Sequence, residues 1–277
     1  MTSDERCLTL FGEEFQNKKV YSPNSDGISE LFRLFSKAEK FYAQGHYEDA
    51  FSLYLRIAKK GLMYAQSAVG FLFLVGEGVE QNKEEALKWL LKASKQGDPK
   101  ANFYLGSAYL YAHGDFEVNY KLALKYLTLS AEDGFVRAYY SLAKMYRDGR
   151  GGFLDYDEAE YWLTKAAEGE DVSAQYDLGC FYSDPDMGKQ DDIKSLKWFT
   201  IAAHNGDIEA QALVGECYYN GRGVKKDEKE AVKWMRSSKE KGMELVYEDN
   251  IKMDKDIDLN DWVSLCQKQK EVSRIIH

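Results

Sequence analysis

The stretch Asn82-Lys-Glu-Glu-Ala-Leu-Lys-Trp89 decides the fold, because the chain returns to this pattern every 36 or 37 residues. Its last copy reads Asp227-Glu-Lys-Glu-Ala-Val-Lys-Trp234. No single helix or strand produces a period that long, whereas stacked copies of one supersecondary unit do. The pattern therefore predicts a five-copy array. The aromatic residue that closes the stretch stands at Trp89, Tyr126, Trp162, Trp198 and Trp234.

Each copy is predicted to end in a helix organised around this aromatic residue. A small residue stands three positions before it and another four positions after it, which places all three on one helix face. We expect the aromatic to be the buried knob of that face. Asn82 and its equivalents are predicted N-caps, because their side chains can accept from the first-turn N–H groups. A glycine suited to closing the helix follows at Gly97, Gly134, Gly206 and Gly242, but one residue early at Gly169.

A second helical pattern fills the first half of each copy. An alanine recurs in phase, and five residues after it comes a position that is glycine in four copies and alanine in one. Glycine inside a helix costs about 1 kcal/mol relative to alanine, so its recurrence predicts close helix packing. Three aspartates of this half are further predicted N-caps: Asp98, Asp171 and Asp207. The close-packing positions are Gly70, Gly106, Ala143, Gly179 and Gly215.

Several motifs together resemble the Sel-one-like repeat, a relative of the tetratricopeptide repeat. They are Ala-x-x-x-Leu/Val-Gly-x-x-Tyr/Phe, Gly-x-Gly-Val, Asp/Asn-x-x-x-Ala-x-x-Trp and Lys-Ala-Ala, in five copies over residues 64–243. The resemblance implies an all-α fold, an α/α solenoid of antiparallel helix pairs that forms a right-handed superhelix. Copies two and four depart from the pattern in the turn between helices. In copy four the turn reads Ser183-Asp-Pro-Asp-Met-Gly188, and we expect it to have its own shape.

The remaining segments complete a four-part domain organisation. Residues 1–27 are predicted to be an N-terminal tail that ends in turn chemistry. Residues 28–63 resemble a tetratricopeptide copy and are predicted to be a capping helix pair. The five copies occupy residues 64–243. Residues 244–277 are predicted to be an acidic linker and a C-terminal capping helix with one apolar and one polar face.

Composition and charge narrow the functional classes. The formal net charge is −9, and seven acids against two lysines between Glu244 and Asp261 supply −5 of it. Nucleic-acid binding usually shows as a basic stripe, and none is visible, so we expect no nucleic-acid partner. No apolar run has the length of a signal peptide or a membrane helix, which predicts a cytoplasmic protein without a membrane partner. The four cysteines stand at unrelated phases of the repeat and are expected to be reduced thiols.

The sequence offers no pattern that indicates catalysis. Its four histidines are isolated, and no pair has the spacing of metal ligands. The Gly-x-Gly turns do not follow strands, so a phosphate-binding loop is not supported. No nucleophile is paired with a base. We expect no enzymatic activity, no catalytic residues, no metal and no cofactor.

The remaining candidate site is the concave groove that the resemblance implies, which the first helix of each copy lines. Phe103, Tyr140 and Tyr176 occupy one repeated offset in three consecutive copies, and cationic residues stand beside them. Aromatic and cationic residues are enriched in binding hot spots. The alternative is that these rings only pack between helices. The candidate groove residues are Phe71, Phe103, Tyr111, Arg137, Tyr140, Lys144, Arg147, Tyr176 and Tyr219.

These observations predict a monomeric, non-catalytic module that binds another protein, or a peptide segment of one, in its groove. The resemblance implies two narrower roles. One is a cytosolic inhibitor, an immunity protein, that binds a bacterial toxin. The other is a scaffold or regulatory adaptor that assembles cytosolic proteins. A toxin-like reading frame directly before the gene would favour the first role.

Overall fold

The computed structural model describes residues 26–113 and 116–240, and these residues form twelve α-helices and no β-strand. The predicted all-α fold class is confirmed. Short 3-10 helices lie at Arg150–Gly152 and Pro185–Met187, the second in the copy-four turn that was expected to differ. The α-helices are α1 Asp26–Ala43, α2 Tyr47–Ala58, α3 Met63–Val75, α4 Lys83–Ser94, α5 Pro99–Tyr111, α6 Tyr120–Glu132, α7 Val136–Arg147, α8 Tyr156–Glu168, α9 Val172–Ser183, α10 Asp192–His204, α11 Ile208–Asn220 and α12 Glu228–Glu240.

Part of the predicted terminal organisation lies outside the described residues. This applies to the predicted C-terminal linker and capping helix, to Cys7, Cys266 and His277, and to the N-terminal tail before Asp26. Asp26 and Gly27, placed in that tail by the sequence, open α1 instead. The capping role of α1 and α2 stays a prediction.

The helices begin where the predicted N-caps stand. The carboxamide or carboxylate of every cap before a second helix accepts from a first-turn N–H, as Asn82 does from Glu85 at 2.9 Å. Asp98, Asp171 and Asp207 do the same for the first helices of their copies. The other second-helix caps with this bond are Asn119, Asp155, Asp191 and Asp227.

One predicted helix end is wrong by a residue. Gly97, Gly134 and Gly206 take a left-handed backbone, with φ between +83° and +97°. In the third copy the prediction fell on Gly169, whose φ is −79°. The left-handed residue is Glu170, with φ +64°, in the position equivalent to Gly97. The phase of the repeat therefore fixes this backbone conformation even where the residue is not glycine.

The helical glycines bring the two helices of a copy into close contact. A Cβ added at Gly70 would lie 2.6 Å from Cγ of Leu90, and one at Gly106 would lie 2.7 Å from Cγ of Leu127. Gly179 meets Phe199 in the same way, at 2.5 Å. Such distances are too short for a real side chain, so the close packing predicted from the glycines is confirmed.

The side chain that fills this contact does not belong to the repeated aromatic, which the sequence predicts to be the knob of its helix face. The side chain over the glycine belongs to the next residue, one position C-terminal, which lies about 100° further around the helix. The aromatic is buried in the first copy, at Trp89, and half-buried in the other four. The fully packed residues are Leu90, Leu127, Leu163, Phe199 and Met235.

The repeated tryptophans keep one edge of the ring at the border between core and solvent, where the indole N–H can find a partner. Nε1 of Trp89 donates to Glu85 at 3.1 Å, and Nε1 of Trp162 donates to Glu158 at 2.9 Å. An indole N–H needs such an acceptor when its ring is partly buried. The position thus suits a residue that is apolar on one side and polar at one edge.

A row of buried amides fastens consecutive copies, and sequence reasoning missed it. Each amide follows the repeated alanine directly and donates to a carbonyl eight residues earlier, in the preceding copy. Gln66 also accepts from Gln96 at 2.7 Å, and Gln175 accepts from Asn205 at 2.8 Å. The donor–carbonyl pairs are Gln66 to Ala58, Gln175 to Ala167 and Gln211 to Ala203.

The chain divides into two compact units. Unit 1 comprises the residues up to Met145 together with Gly149–Phe153, and unit 2 comprises Tyr146–Asp148 and the residues from Leu154 onward. In unit 1, Phe35 and Tyr54 of the first helix pair share a buried core with Val69 of α3. In unit 2, Phe199 and Val214 centre a second core.

Candidate functional site

In unit 1 six residues of copies two and three occupy three repeated positions on α5 and α7. We call these six residues the α5–α7 face. The ring of Phe103 is half-buried and lies 5.1 Å from that of Phe135, while Nζ of Lys144 lies 5.5 Å from the centre of the Tyr140 ring. The face thus combines aromatic rings with cations. Its members are Lys100, Phe103, Ser107, Arg137, Tyr140 and Lys144.

Tyr104 lies beside the α5–α7 face, and its hydroxyl is buried. Its ring is 5% exposed and packs 4.8 Å from that of the predicted groove residue Phe71. Burial raises the pKa of the Tyr104 phenol, the positive charge of Arg137 opposes that rise, and Asp98 adds to it. Arg137 therefore lies close enough to act electrostatically on the Tyr104 hydroxyl.

Two hydroxyls at this face make no hydrogen bond within the part of the chain that the structure describes. They are the phenol of Tyr104 and Oγ of Ser107, which is 9% exposed. The two residues are three positions apart on α5, so they share a side of the helix. A buried hydroxyl without a partner costs about 1–3 kcal/mol, which an acceptor on a bound molecule would offset.

A buried ion lies at the N-terminal end of this face. Lys100 is 8% exposed, and its positive charge acts on the carboxyl group of Glu39, which lies on α1. Burial raises the pKa of Glu39 from its ordinary 4.5 to about 7, and Lys100 opposes that rise. Oε1 of Glu39 accepts no hydrogen bond from the described residues. Sequence reasoning gave Lys100 no role, and no sequence signal marks Glu39 as its neighbour.

Tyr111 lies at the end of α5. Its side chain is 42% exposed, and it packs between the guanidinium of Arg150, 5.6 Å away, and the ring of His113, 5.7 Å away. It is therefore a predicted groove residue that leaves a large aromatic surface accessible.

In unit 2 the predicted residues are more engaged with their own surroundings. Arg147 donates to Asp148 and to Asp177, both at 2.9 Å, so its charge is already balanced. The ring of Tyr176 packs 5.9 Å from that of Phe199. Burial, followed by the neighbouring Cys180 and Glu209, raises the pKa of Tyr176. The last predicted residue, Tyr219, lies under Nζ of Lys226 at 4.9 Å.

The repeats identify the family. The family model described as Sel1 repeat matches residues 64–98, 99–135, 136–171, 172–207 and 208–243, which is more than half of the chain. The chain belongs to the Sel1 repeat family. The resemblance inferred from the sequence motifs is confirmed, and the match divides the chain into the same five copies.

Solved Sel1 structures are similar to this Sel1 protein in fold. A Sel1 repeat protein from Oxalobacter formigenes is 32% identical with a TM-score of 0.66, over 74% of this chain and 84% of that one. A protective antigen present in uropathogenic Escherichia coli strains, with an SLR fold, is 28% identical with a TM-score of 0.67. That match covers 77% of this chain and 46% of that one.

A curated relative extends the comparison to a regulator. The exopolysaccharide production negative regulator of Rhizobium leguminosarum bv. viciae is 29% identical over 144 residues, which are 47% of this chain and 54% of the relative. This Sel1 protein thus spans about half the length of the curated relatives that it matches.

The described residues of this Sel1 protein show chemistry suited to recognition. Residues 26–113 and 116–240 contain no group of three or more His, Cys, Asp or Glu side chains placed to hold a metal ion. No helix in those ranges is long and apolar enough to cross a membrane. Neither Cys180 nor Cys217 forms a disulfide with another described residue. Rings, cations and hydroxyls at the α5–α7 face can bind a ligand by apolar contact, charge and hydrogen bonds.

Proposed function

We propose that this Sel1 protein is a non-catalytic binding module that holds a segment of a partner protein against the α5–α7 face. The observation that carries the proposal is the combination at that face of half-buried rings, three cations and two buried hydroxyls that make no hydrogen bond to any described residue. Aromatic and cationic side chains dominate the energetics of protein interfaces. The proposal retains Phe103, Tyr140, Arg137 and Lys144 from the sequence-based candidates. It sets aside Arg147, whose charge Asp148 and Asp177 balance.

For the cellular role, we propose a cytoplasmic inhibitor that binds a toxin acting in the same compartment, as the family resemblance implies. A regulatory adaptor is the second candidate. It is favoured by the curated relatives, which are described as negative regulators of exopolysaccharide production. Both roles need a protein partner and no chemical reaction, and fold alone does not choose between them.

Our first prediction is that Tyr140→Ala removes capture of the partner. Tyr140 is half-buried, so its loss should leave the melting temperature nearly unchanged. A hot-spot aromatic contributes at least about 2 kcal/mol to binding, roughly thirtyfold in Kd. The measurement is affinity capture from native lysate, with the captured protein identified by mass spectrometry and then titrated in purified form.

Tyr161→Ala is the matched control for this prediction. Tyr161 is 52% exposed on α8, a second helix, and lies outside the predicted groove offsets. The Tyr161→Ala variant should capture the same partner as the wild type. The proposal fails if Tyr140→Ala captures the partner normally while Tyr161→Ala loses it, because the binding surface would then lie on the second helices.

A further inference from the structure

We infer that the α5–α7 face takes an acidic segment of the partner, and that the hydroxyls of Tyr104 and Ser107 donate hydrogen bonds to its carboxylates. The inference rests on the proposed function and deepens it, because it names the chemistry of the bound segment. Two features support it: the two donors and the cations beside them.

Two other helical serines of unit 1 differ from Ser107, because their hydroxyls are bonded within their own helices. Ser67 stands in copy one at the position that Phe103 occupies in copy two. Its Oγ donates to the carbonyls of Met63 and Tyr64. Oγ of Ser141 bonds to the carbonyl of Arg137. Ser107 is also helical and buried, yet its Oγ makes no such bond. The phenol of Tyr104, which is 5% exposed, likewise makes no hydrogen bond to a described residue. Both groups are therefore donors that a ligand can use at no cost to an existing bond.

The charge beside these donors is positive. Lys100 lies one helical turn before Tyr104, and Arg137 acts directly on the Tyr104 phenol. Asp98 is the nearby acid, and its Oδ1 accepts from the N–H of Lys100 as the cap of α5. Burial raises the pKa of the Glu39 carboxyl to about 7, which weakens the negative charge that it places beside Lys100. An anionic group on the ligand is the species that this environment favours.

The positive charge is specific to unit 1 and is not a property of every copy. At the offset of Lys100 and Arg137, copy five carries Glu209. At the offset of Lys144, copy five carries Glu216, which is 4% exposed. Copy four carries the neutral residues Ser173 and Cys180 at these positions, so the repeat does not require the cations of α5 and α7. We attribute these cations to the binding of an anionic ligand at this face.

An acidic protein segment fits this charge better than a nucleic acid does. The formal net charge of the whole chain is −9. A nucleic acid carries one charge per nucleotide along its whole length, which three cations on one face cannot match. A short protein segment can place a few carboxylates at the three cations and leave the rest of its length uncharged. Phe103 and Tyr140 then offer apolar contact to its remaining side chains.

The test uses random dodecapeptides displayed on phage and panned against the full-length protein, with counter-selection on the Tyr140→Ala variant. Peptides that are retained and need Tyr140 bind the α5–α7 face. We expect their net charge to be negative. Tyr104→Phe and Ser107→Ala should each weaken a selected peptide about tenfold, as for one hydrogen bond to a charged acceptor.

Three measurements keep a structural role apart from a binding role. Tyr104→Phe removes one unpartnered oxygen and keeps the ring, so its melting temperature should equal or exceed that of the wild type. Ser67→Ala removes a hydroxyl that is already bonded within its helix and should change affinity less than about twofold. Tyr109 lies on the part of α5 that stacks on Tyr126. Tyr109→Phe should likewise change the affinity less than about twofold.

The remaining outcomes separate the inference from the proposed function. Selected peptides that are neutral or basic, or that bind Tyr104→Phe as tightly as the wild type, would overturn the inference and leave the proposed function standing. A single-stranded oligonucleotide that bound more tightly than the selected peptides would also overturn it. If panning returned no peptide that needs Tyr140, the proposed function would fail, and the inference with it.

Discussion

Glu39 shows how one buried charge can link stability to pH. Its carboxyl group is withdrawn from water on α1, and burial raises its pKa to about 7 against an ordinary value of 4.5. Lys100 lowers the pKa, but by less than burial raises it. The folded chain therefore binds a proton at Glu39 more tightly than the unfolded chain does. This proton stabilises the fold fully below about pH 4.5, and its contribution is lost as the pH rises through about 7.

The second prediction follows from this loss of stability as the pH rises. Glu39→Gln should be more stable than the wild type at pH 8 by an amount on the order of 2 kcal/mol, because an uncharged amide replaces a partly buried carboxylate. Screening by solvent makes this difference smaller than the full pKa change would give. At pH 5 the two proteins should be nearly equal. Urea unfolding at both pH values measures the difference. Glu30→Gln, in an exposed pair with Arg33, is the control and should track the wild type. Equal wild-type and Glu39→Gln stability at pH 8 would contradict this account of Glu39.

At the scale of the element, the helix pair of a copy is held by the contact between a glycine and the residue after the repeated aromatic. Gly106 and Leu127 form this contact in copy two. The third prediction is that Gly106→Ala destabilises the protein by about 1–3 kcal/mol, although alanine has the better helix propensity. A Cβ there would lie 2.7 Å from Leu127 Cγ and 3.1 Å from its backbone nitrogen.

The third copy supplies the control for this substitution, since it carries alanine naturally at position 143. Ala143→Gly removes a side chain that the structure already accommodates, and the loss of helix propensity should cost about 1 kcal/mol. Both changes should therefore lower the urea midpoint. A midpoint that rises in Gly106→Ala would show that the helices of copy two are not in the close contact described.

The fourth prediction compares neighbours on α6. Leu127 is fully buried, whereas Tyr126 is half-buried and stacks on Tyr109 at 6.2 Å. Leu127→Ala should cost about 2–5 kcal/mol, as buried leucines do. Tyr126→Ala should cost less, because half of its ring area is already in water. Urea unfolding of the two variants decides the order, and the reverse order would restore the aromatic as the core residue.

The sequence predicted the elements well and the side-chain packing less well, for a physical reason. A recurrent glycine such as Gly106 signals close approach whatever its partner is. The partner is harder to choose, because Tyr126 and Leu127 are adjacent, apolar and only about 100° apart on the helix. In the sequence, the aromatic recurs at the same position of every copy, which favours it as the partner of the glycine. In the structure, burial shows that the partner is the leucine. The amide after the repeated alanine, Gln66, could have been found, since glutamine recurs there in three copies.

At the scale of the whole molecule, the repeat predicted the family because many positions recur together, but it could not show which groups were already paired. Arg147 and Lys144 look equivalent as candidate cations in the sequence. The structure binds Arg147 to Asp177, thirty positions further along the chain. It also places Glu39, in the helix pair that precedes the repeats, near Lys100 of copy two. Such neighbours depend on how successive copies pack, which a list of offsets does not contain.

The central claim is that a partner protein lies against the α5–α7 face, and site-specific photo-crosslinking in cells tests it most directly. The photoreactive amino acid benzoylphenylalanine replaces Tyr140 in one variant and the exposed Tyr161 in another. We expect light to produce one covalent adduct with a second protein at position 140 and none at position 161. Adducts at position 161 without any at position 140, or none at either position, would contradict the account.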